Sequence, residues 1–269
     1  MLIFFKILSK LPLSKLYLFS DLINKFFLFK QPYRKKITFN NLNKVFNNKT
    51  KKEIELIYKQ FYNHLTDLIL ETIKLLDIDK KTIKKRIKLL NPEIVNSLDE
   101  NKPTIILSAH YGNWEWLFAS LCVNFKENIY AIYKPLSNKF FNNLILKIRG
   151  KFGGKLISKN KSGKFILKKF KEKNILFVLA DQVPENLNNT TTIKFLNRNT
   201  TFSKGLEKLC LNSNAIVLYA KMEKKKRGYY TVEFSKVGRS IIKEFAKRTE
   251  DSIFEKPEYW LWSHNRWKR

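Results

Sequence analysis

The chain has 269 residues, 44% hydrophobic and 14% aromatic, which is enough apolar surface for a substantial core and excludes a disordered chain. Its 53 Lys and Arg stand against 23 Asp and Glu, and a net charge of +30 favours acidic partners such as nucleic acid, anionic lipid surfaces, phosphorylated lipids or an acidic carrier protein. That excess is mostly lysine, spread along the whole chain among many Asn, Ile and Phe, so it marks compositional background more than any one partner.

The first element is amphipathic. Leu2 to Phe5, Ile7-Leu8, Leu11, Leu13, Leu16 to Phe19, Leu22-Ile23 and Phe26 to Phe29 are apolar, interrupted by Lys6, Lys10, Lys15, Asp21, Lys25 and Lys30. No uncharged run approaches the ~18–20 residues of a clean transmembrane helix. No basic leader precedes the apolar start and no small-residue cleavage site follows, so a signal peptide is not expected. Pro12 favours a break between two short helices. The pattern reads as an interfacial, membrane-associating segment over residues 1–30, ahead of a globular domain over 31–269. A helix packed on that domain, or a single span whose end lysines snorkel, are the alternatives.

From Arg34 to about Asn101 the pattern is helical and charged. Ile54, Ile57-Tyr58, Phe61-Tyr62, Leu65, Leu68-Ile69 and Ile73 fall on one face, and His64 on the same helix reads as a packing or surface histidine. The chain then alternates. Strands are predicted at Thr104–Ala109, Asn128–Tyr133, Lys155–Ser158, Ile175–Ala180, Thr192–Phe195, Ala215–Met222 and Tyr229–Val237. Helices are predicted at Trp114–Val123, Asn138–Lys151, Ser162–Lys173, Ser203–Leu211 and Ile241–Phe254. Such alternation predicts an α/β fold with a central mixed sheet covered by helices. Lys224-Lys225-Lys226-Arg227, bounded by Gly228, reads as the solvated turn of a hairpin. Cys122 and Cys210 sit in apolar helical patterns and read as buried thiols. With no CxxC and only His64, His110 and His264, no metal site and no cofactor is expected.

The chemistry concentrates in Ser108-Ala109-His110-Tyr111-Gly112-Asn113-Trp114-Glu115-Trp116, where a buried strand meets a turn and then a helix. A histidine that deprotonates a hydroxyl needs one tautomer favoured, and a nearby carboxylate supplies that. Gly112 can turn His110 back toward Glu115. The plainer alternative is that Asn113 caps the helix, with Glu115 favourable to the dipole in its first turn.

His110-Tyr111-Gly112-Asn113-Trp114-Glu115 resembles the His-x-x-x-x-Asp/Glu block of glycerolipid-type acyltransferases. Its flanks are most similar to the late acyltransferases of lipid A biosynthesis. Further similarities follow in that family's order: Ile148-Arg149-Gly150-Lys151-Phe152-Gly153-Gly154-Lys155, Leu179-Ala180-Asp181-Gln182, Phe195-Leu196-Asn197 with Thr200-Thr201, and Pro257-Glu258-Tyr259-Trp260-Leu261-Trp262. Val183 stands where the family often has a second aspartate, and Asn197 near its usual glycine.

The resemblance implies a fatty acyl transfer from acyl carrier protein to a hydroxyl of a lipid A precursor, at the cytoplasmic face of the inner membrane beside an anionic lipid surface. His110 would be the general base and Glu115 its orienting partner. Arg149 would serve a developing oxyanion or a substrate phosphate, and Asp181 would position Arg149 or another basic group. Gln182 and Asn113 are further substrate-binding candidates. No Gly-x-Ser-x-Gly elbow or Cys/His pairing occurs, so no covalent acyl-enzyme is expected. The C-terminal Tyr259, Trp260, Trp262 and Trp267, with Arg266, Lys268 and Arg269, read either as a headgroup-boundary cluster or as a helix closing the core. The rivals are a lysophospholipid acyltransferase with the same pair and a basic nucleic-acid-binding protein; no nucleic-acid-binding motif supports the second.

Overall fold

The computed structural model describes residues 2–30, 33–99, 101–171, 174–185 and 187–268, without the side chains of residues 27–30, 164, 167–169 and 187. Helices α1 (Leu2–Lys10) and α2 (Leu13–Lys30) divide at Pro12 as predicted. Helix α3 (Lys35–Val45) precedes the long α4 (Lys51–Lys74). Thr50 caps α4 in a reciprocal box with Glu53, which satisfies backbone donors at the helix start. Next come α5 (Lys80–Arg86), β1 (Ile87–Leu89) and α6 (Glu93–Asn96).

The alternating part runs β2 (Thr104–Ser108), α7 (Trp114–Asn124), β3 (Asn128–Tyr133), α8 (Lys139–Gly150), β4 (Lys155–Ser158), α9 (Lys159–Lys169) and β5 (Asn174–Leu179). It continues through β6 (Thr190–Phe195), β7 (Arg198–Ser203), α10 (Lys204–Asn212), β8 (Ile216–Lys226), β9 (Tyr229–Lys236) and α11 (Ile241–Glu255). The predicted end of the ninth helix at Lys173 lies outside the described residues.

Seven strands form one mixed sheet in the order β1-β9-β8-β2-β5-β3-β4. Strands β8, β2, β5, β3 and β4 run parallel, β9 is antiparallel to β8, and β1 is parallel to β9. Every residue of β2 is buried, as a central parallel strand covered on both faces requires. Ile105 and Leu107 point into a core built with α4 and α11, while Ile106 joins the opposite core under α5, α7 and α8. Helix α4 serves both: Phe61 packs in the first core and Leu70 in the second.

Three features depart from the predicted elements. Strand β1 is a three-residue edge strand that the charged helical pattern around it concealed. Strand β7 completes a two-stranded hairpin with β6, whose turn residues Leu196 and Asn197 have φ of 52° and 60°. Such left-handed pairs fit the twist of a tight hairpin, and asparagine tolerates the conformation where a glycine is usual. Finally, the lysine-rich run leads into the β8–β9 hairpin turn with Lys225 and Lys226 exposed, as predicted, but it is not solvated throughout. Lys224 to Lys226 belong to β8, Lys224 lies 3.6 Å from Asp67, and Arg227 reaches inward to Asp67 and Asp21.

The N-terminal helices pack on the domain and still expose apolar side chains. Leu16 is fully buried, Tyr17 donates to Glu71 (2.7 Å) and Ser20 to Asp67 (2.7 Å). Ile3, Phe4, Ile7, Leu18, Leu22 and Phe26 face outward. Among the described residues no helix is long and apolar enough to cross a membrane.

Candidate active site

Strand register brings the two central residues together. Ser108, which ends β2, pairs with Leu179, which ends β5, so His110 and Asp181 emerge side by side two residues further on. This is the carboxyl edge of parallel strands, where open α/β sheets hold ligands. His110 Nδ1 lies 2.7 Å from Asp181 Oδ1, and the His110 backbone amide donates to Asp181 Oδ2 (3.0 Å). The Trp260 indole donates to the same oxygen at 2.8 Å. Burial alone would raise the Asp181 carboxyl, but His110 and the donated hydrogen bonds more than offset it and hold its pKa at about 2.

A carboxylate only accepts, so the ring proton sits on Nδ1 and leaves Nε2 of the neutral imidazole as an acceptor. Gln182 Nε2 lies 3.1 Å from that atom and donates to it. The His110 side chain keeps 15% of its surface exposed, and Trp114 meets its ring edge-on at 5.0 Å.

Glu115 corrects the expected pairing. Its carboxylate forms no hydrogen bond with His110; it takes a two-pronged bond from Arg149, with Nε at 2.8 Å and Nη2 at 2.6 Å. Asp181, expected to hold a basic group such as Arg149, is the residue that orients His110. Burial opposes charge on both members of the second pair. Each other's charge prevails, so Glu115 sits below its ordinary pKa and Arg149 above its own. Glu115 lies near enough to His110 for a protonated ring to lower its carboxyl further, so the ion pair borders the histidine.

Gly154 lets this pair form. A Cβ there would fall 2.6 Å from the Phe118 ring and 2.7 Å from the Arg149 carbonyl. Only a glycine allows the turn after α8 to press against α7, which starts beside Glu115.

Asn113 lies elsewhere than a substrate-binding residue should. It is fully buried at the cap of α7, its oxygen accepting from the Trp116 amide (2.9 Å) and its nitrogen donating to Glu71 (2.6 Å). The turn before it needs Gly112 at φ 63°. It is held against the C-terminal segment: Gly112 donates to Tyr259 O (3.0 Å) and Leu261 to His110 O (3.1 Å).

Trp260 and Trp262, at 1% and 0% exposure, therefore close the core instead of meeting a lipid boundary. The direct bond from Trp260 to Asp181 was not expected from the sequence; an indole seventy-nine residues away leaves no local signal. Cys210 is buried as expected and Cys122 only partly so; burial pushes both thiols up to about 12 and leaves them poor nucleophiles. His264 is lowered to about 4, chiefly by burial.

A comparison with curated proteins finds no match. The model of the family described as bacterial lipid A biosynthesis acyltransferase matches residues 1–269, the whole chain, and the protein belongs to that family of acyltransferases.

Proposed function

We propose that the protein moves a fatty acyl chain from acyl carrier protein directly to a hydroxyl of a lipid A precursor, with His110 as general base. The observation that carries this reading is the His110–Asp181 contact at 2.7 Å, which leaves Nε2 as the ring's acceptor at a partly open position, where the acceptor hydroxyl would replace the Gln182 amide. Nε2 would take the proton of the acceptor hydroxyl as its oxygen attacks the acyl thioester carbonyl. Arg149, fixed by Glu115, would stabilise the oxyanion. Collapse breaks the carbon–sulfur bond, and the imidazolium returns its proton to the departing thiolate. The hydroxyl attacks directly, so the acyl group never rests on the protein.

The exposed apolar residues of α1 and α2 support docking on the cytoplasmic face of the inner membrane, where the carrier protein and the precursor meet. Carrier, phosphorylated precursor and bilayer surface are all acidic, which suits a chain of net charge +30.

The test is acyl transfer in vitro from acyl carrier protein to a lipid A precursor, with a lysophospholipid as the competing acceptor. His110→Ala should lose on the order of 10²–10⁴ in rate while staying folded. A folded His110→Ala protein with near-normal turnover removes the mechanism, and preference for the lysophospholipid removes the acceptor.

A further inference from the structure

Beneath the turn that carries His110 lies a histidine for which acyl transfer supplies no task. His64, on α4, is 4% exposed, with Nε2 3.1 Å from the Gly112 carbonyl and Nδ1 3.4 Å from Lys224 Nζ. An ammonium group only donates, so Nδ1 is the acceptor and Nε2 carries the proton that reaches Gly112. Burial, reinforced by Lys224, lowers the ring to about 3. A group so lowered stays neutral in the working range and is unsuited to moving protons.

Its surroundings fix it in place. Lys224 lies 3.6 Å from Asp67 and 5.5 Å over the Tyr259 ring, and that same ring meets His64 edge-on at 4.9 Å. Tyr259 in turn accepts the Gly112 amide. Both polar backbone groups of Gly112 are therefore held, one by α4 and one by the C-terminal segment. This matters because Gly112, at φ 63°, is the residue with the fewest steric restraints in the loop. It lies two residues beyond the general base and two before the helix that presents Glu115, with the cap Asn113 between.

We propose that His64 is a positioning residue for acyl transfer: its Nε2–H holds the Gly112 carbonyl and so fixes the turn from which His110 meets the acceptor. This rests on the reading of His110 as the base. A general base must sit within hydrogen-bond reach of the proton it takes, and a displacement of about 1 Å is costly. His64 touches neither substrate nor reacting atoms. Its effect belongs in turnover, leaving acceptor affinity unchanged.

The experiment compares His64→Leu, which keeps bulk and loses the donor, with His64→Gln, whose amide keeps an N–H near the position of Nε2. Steady-state rates are measured across pH on the full chain. Expected for His64→Leu is a kcat lower by on the order of ten- to a hundredfold, with KM within about twofold, and recovery of most of the loss in His64→Gln. The rise of activity with pH should stay where it is in the wild type.

Wild-type turnover in His64→Leu, equal impairment of the two variants, or a displaced pH profile each overturns the proposal. Should His64→Leu fail to fold, the histidine ¹⁵N spectrum of the intact wild-type protein decides. The Nε2-protonated tautomer persisting from about pH 5.5 to 8 supports the assignment, and a titrating ring or an Nδ1 proton refutes it. An inactive His110→Ala beside a fully active His64→Leu removes this proposal alone; an active His110→Ala removes the reading beneath it.

Discussion

Asp181 accepts two hydrogen bonds from the one residue His110, from the ring Nδ1 at 2.7 Å and from the backbone amide at 3.0 Å. One carboxylate thus constrains both ring orientation and backbone position. Asp181→Asn presents an amide to Nδ1 and favours the wrong tautomer, so kcat should fall on the order of 10³–10⁴. Trp260→Phe removes only the third donor and should cost about tenfold or less. Single-turnover rates at saturating substrate check both.

Because Asp181 is held at about 2 in the folded protein, below the ~4 of an unfolded chain, it contributes stability that depends on pH. The contribution is complete above about pH 4 and is lost as pH falls through about 2. Wild type should exceed Asp181→Asn in melting temperature near neutrality, with the gap closing across that acid window. A gap independent of pH would show that Asp181 does not act through its charge.

Glu115→Gln leaves the Arg149 guanidinium without its counter-charge at a largely buried site. We expect a loss of about 3 kcal/mol in denaturant unfolding, together with lower turnover. Arg149→Ala should depress kcat, and Arg149→Lys should restore it only in part, since an ammonium cannot make the two-pronged bond. A raised KM with kcat preserved would instead make Arg149 a substrate grip.

Gly154→Ala sets a methyl group against the Phe118 ring and the Arg149 carbonyl, both closer than 3.0 Å. The backbone carbonyl has little room to yield, so α8 must shift away from α7. Stability should drop by about 1–3 kcal/mol, and activity by more than Gly150→Ala causes, since nothing lies within 4 Å of a Cβ at Gly150. Equal effects at the two glycines would dismiss the close approach as a determinant.

At the N-terminus, Ile3, Phe4 and Ile7 are 72%, 58% and 62% exposed. Replacing all three by serine should reduce binding to anionic vesicles without changing the melting temperature. Deleting Met1 to Phe29 should do more: it removes buried Leu16 and the partners of Glu71 and Asp67, and so destabilises the domain. Unchanged vesicle binding by the triple variant would move lipid contact to another face.

Much of the fold is written locally. The apolar run before His110, the cap at Asn113 and the break at Pro12 each carry their own signal, and the elements follow from them. The site is legible only in its membership. Which carboxylate serves which base depends on strand order, because β2 pairs with β5 across the insertion of α7, β3, α8, β4 and α9. Five positions separate His110 from Glu115 and seventy-one separate it from Asp181, yet the distant residue makes the bond. The two ends of the lysine run misled for the same reason: Asp67 and Asp21, which draw Lys224 and Arg227 inward, come from helices far earlier in the chain.

The pegs that hold α2 carry a further consequence for how the protein is made. Asp21 and the Tyr17 carbonyl bond to Arg227, which follows them by 206 and 210 positions. At ordinary rates of synthesis that interval is about 10–40 s. For most of it the first two helices are already made while Arg227, one of the side chains that fasten the second, is not yet there. On the proposed membrane association, the greasy face of α1 and α2 would be free to meet a bilayer before the domain closes behind it.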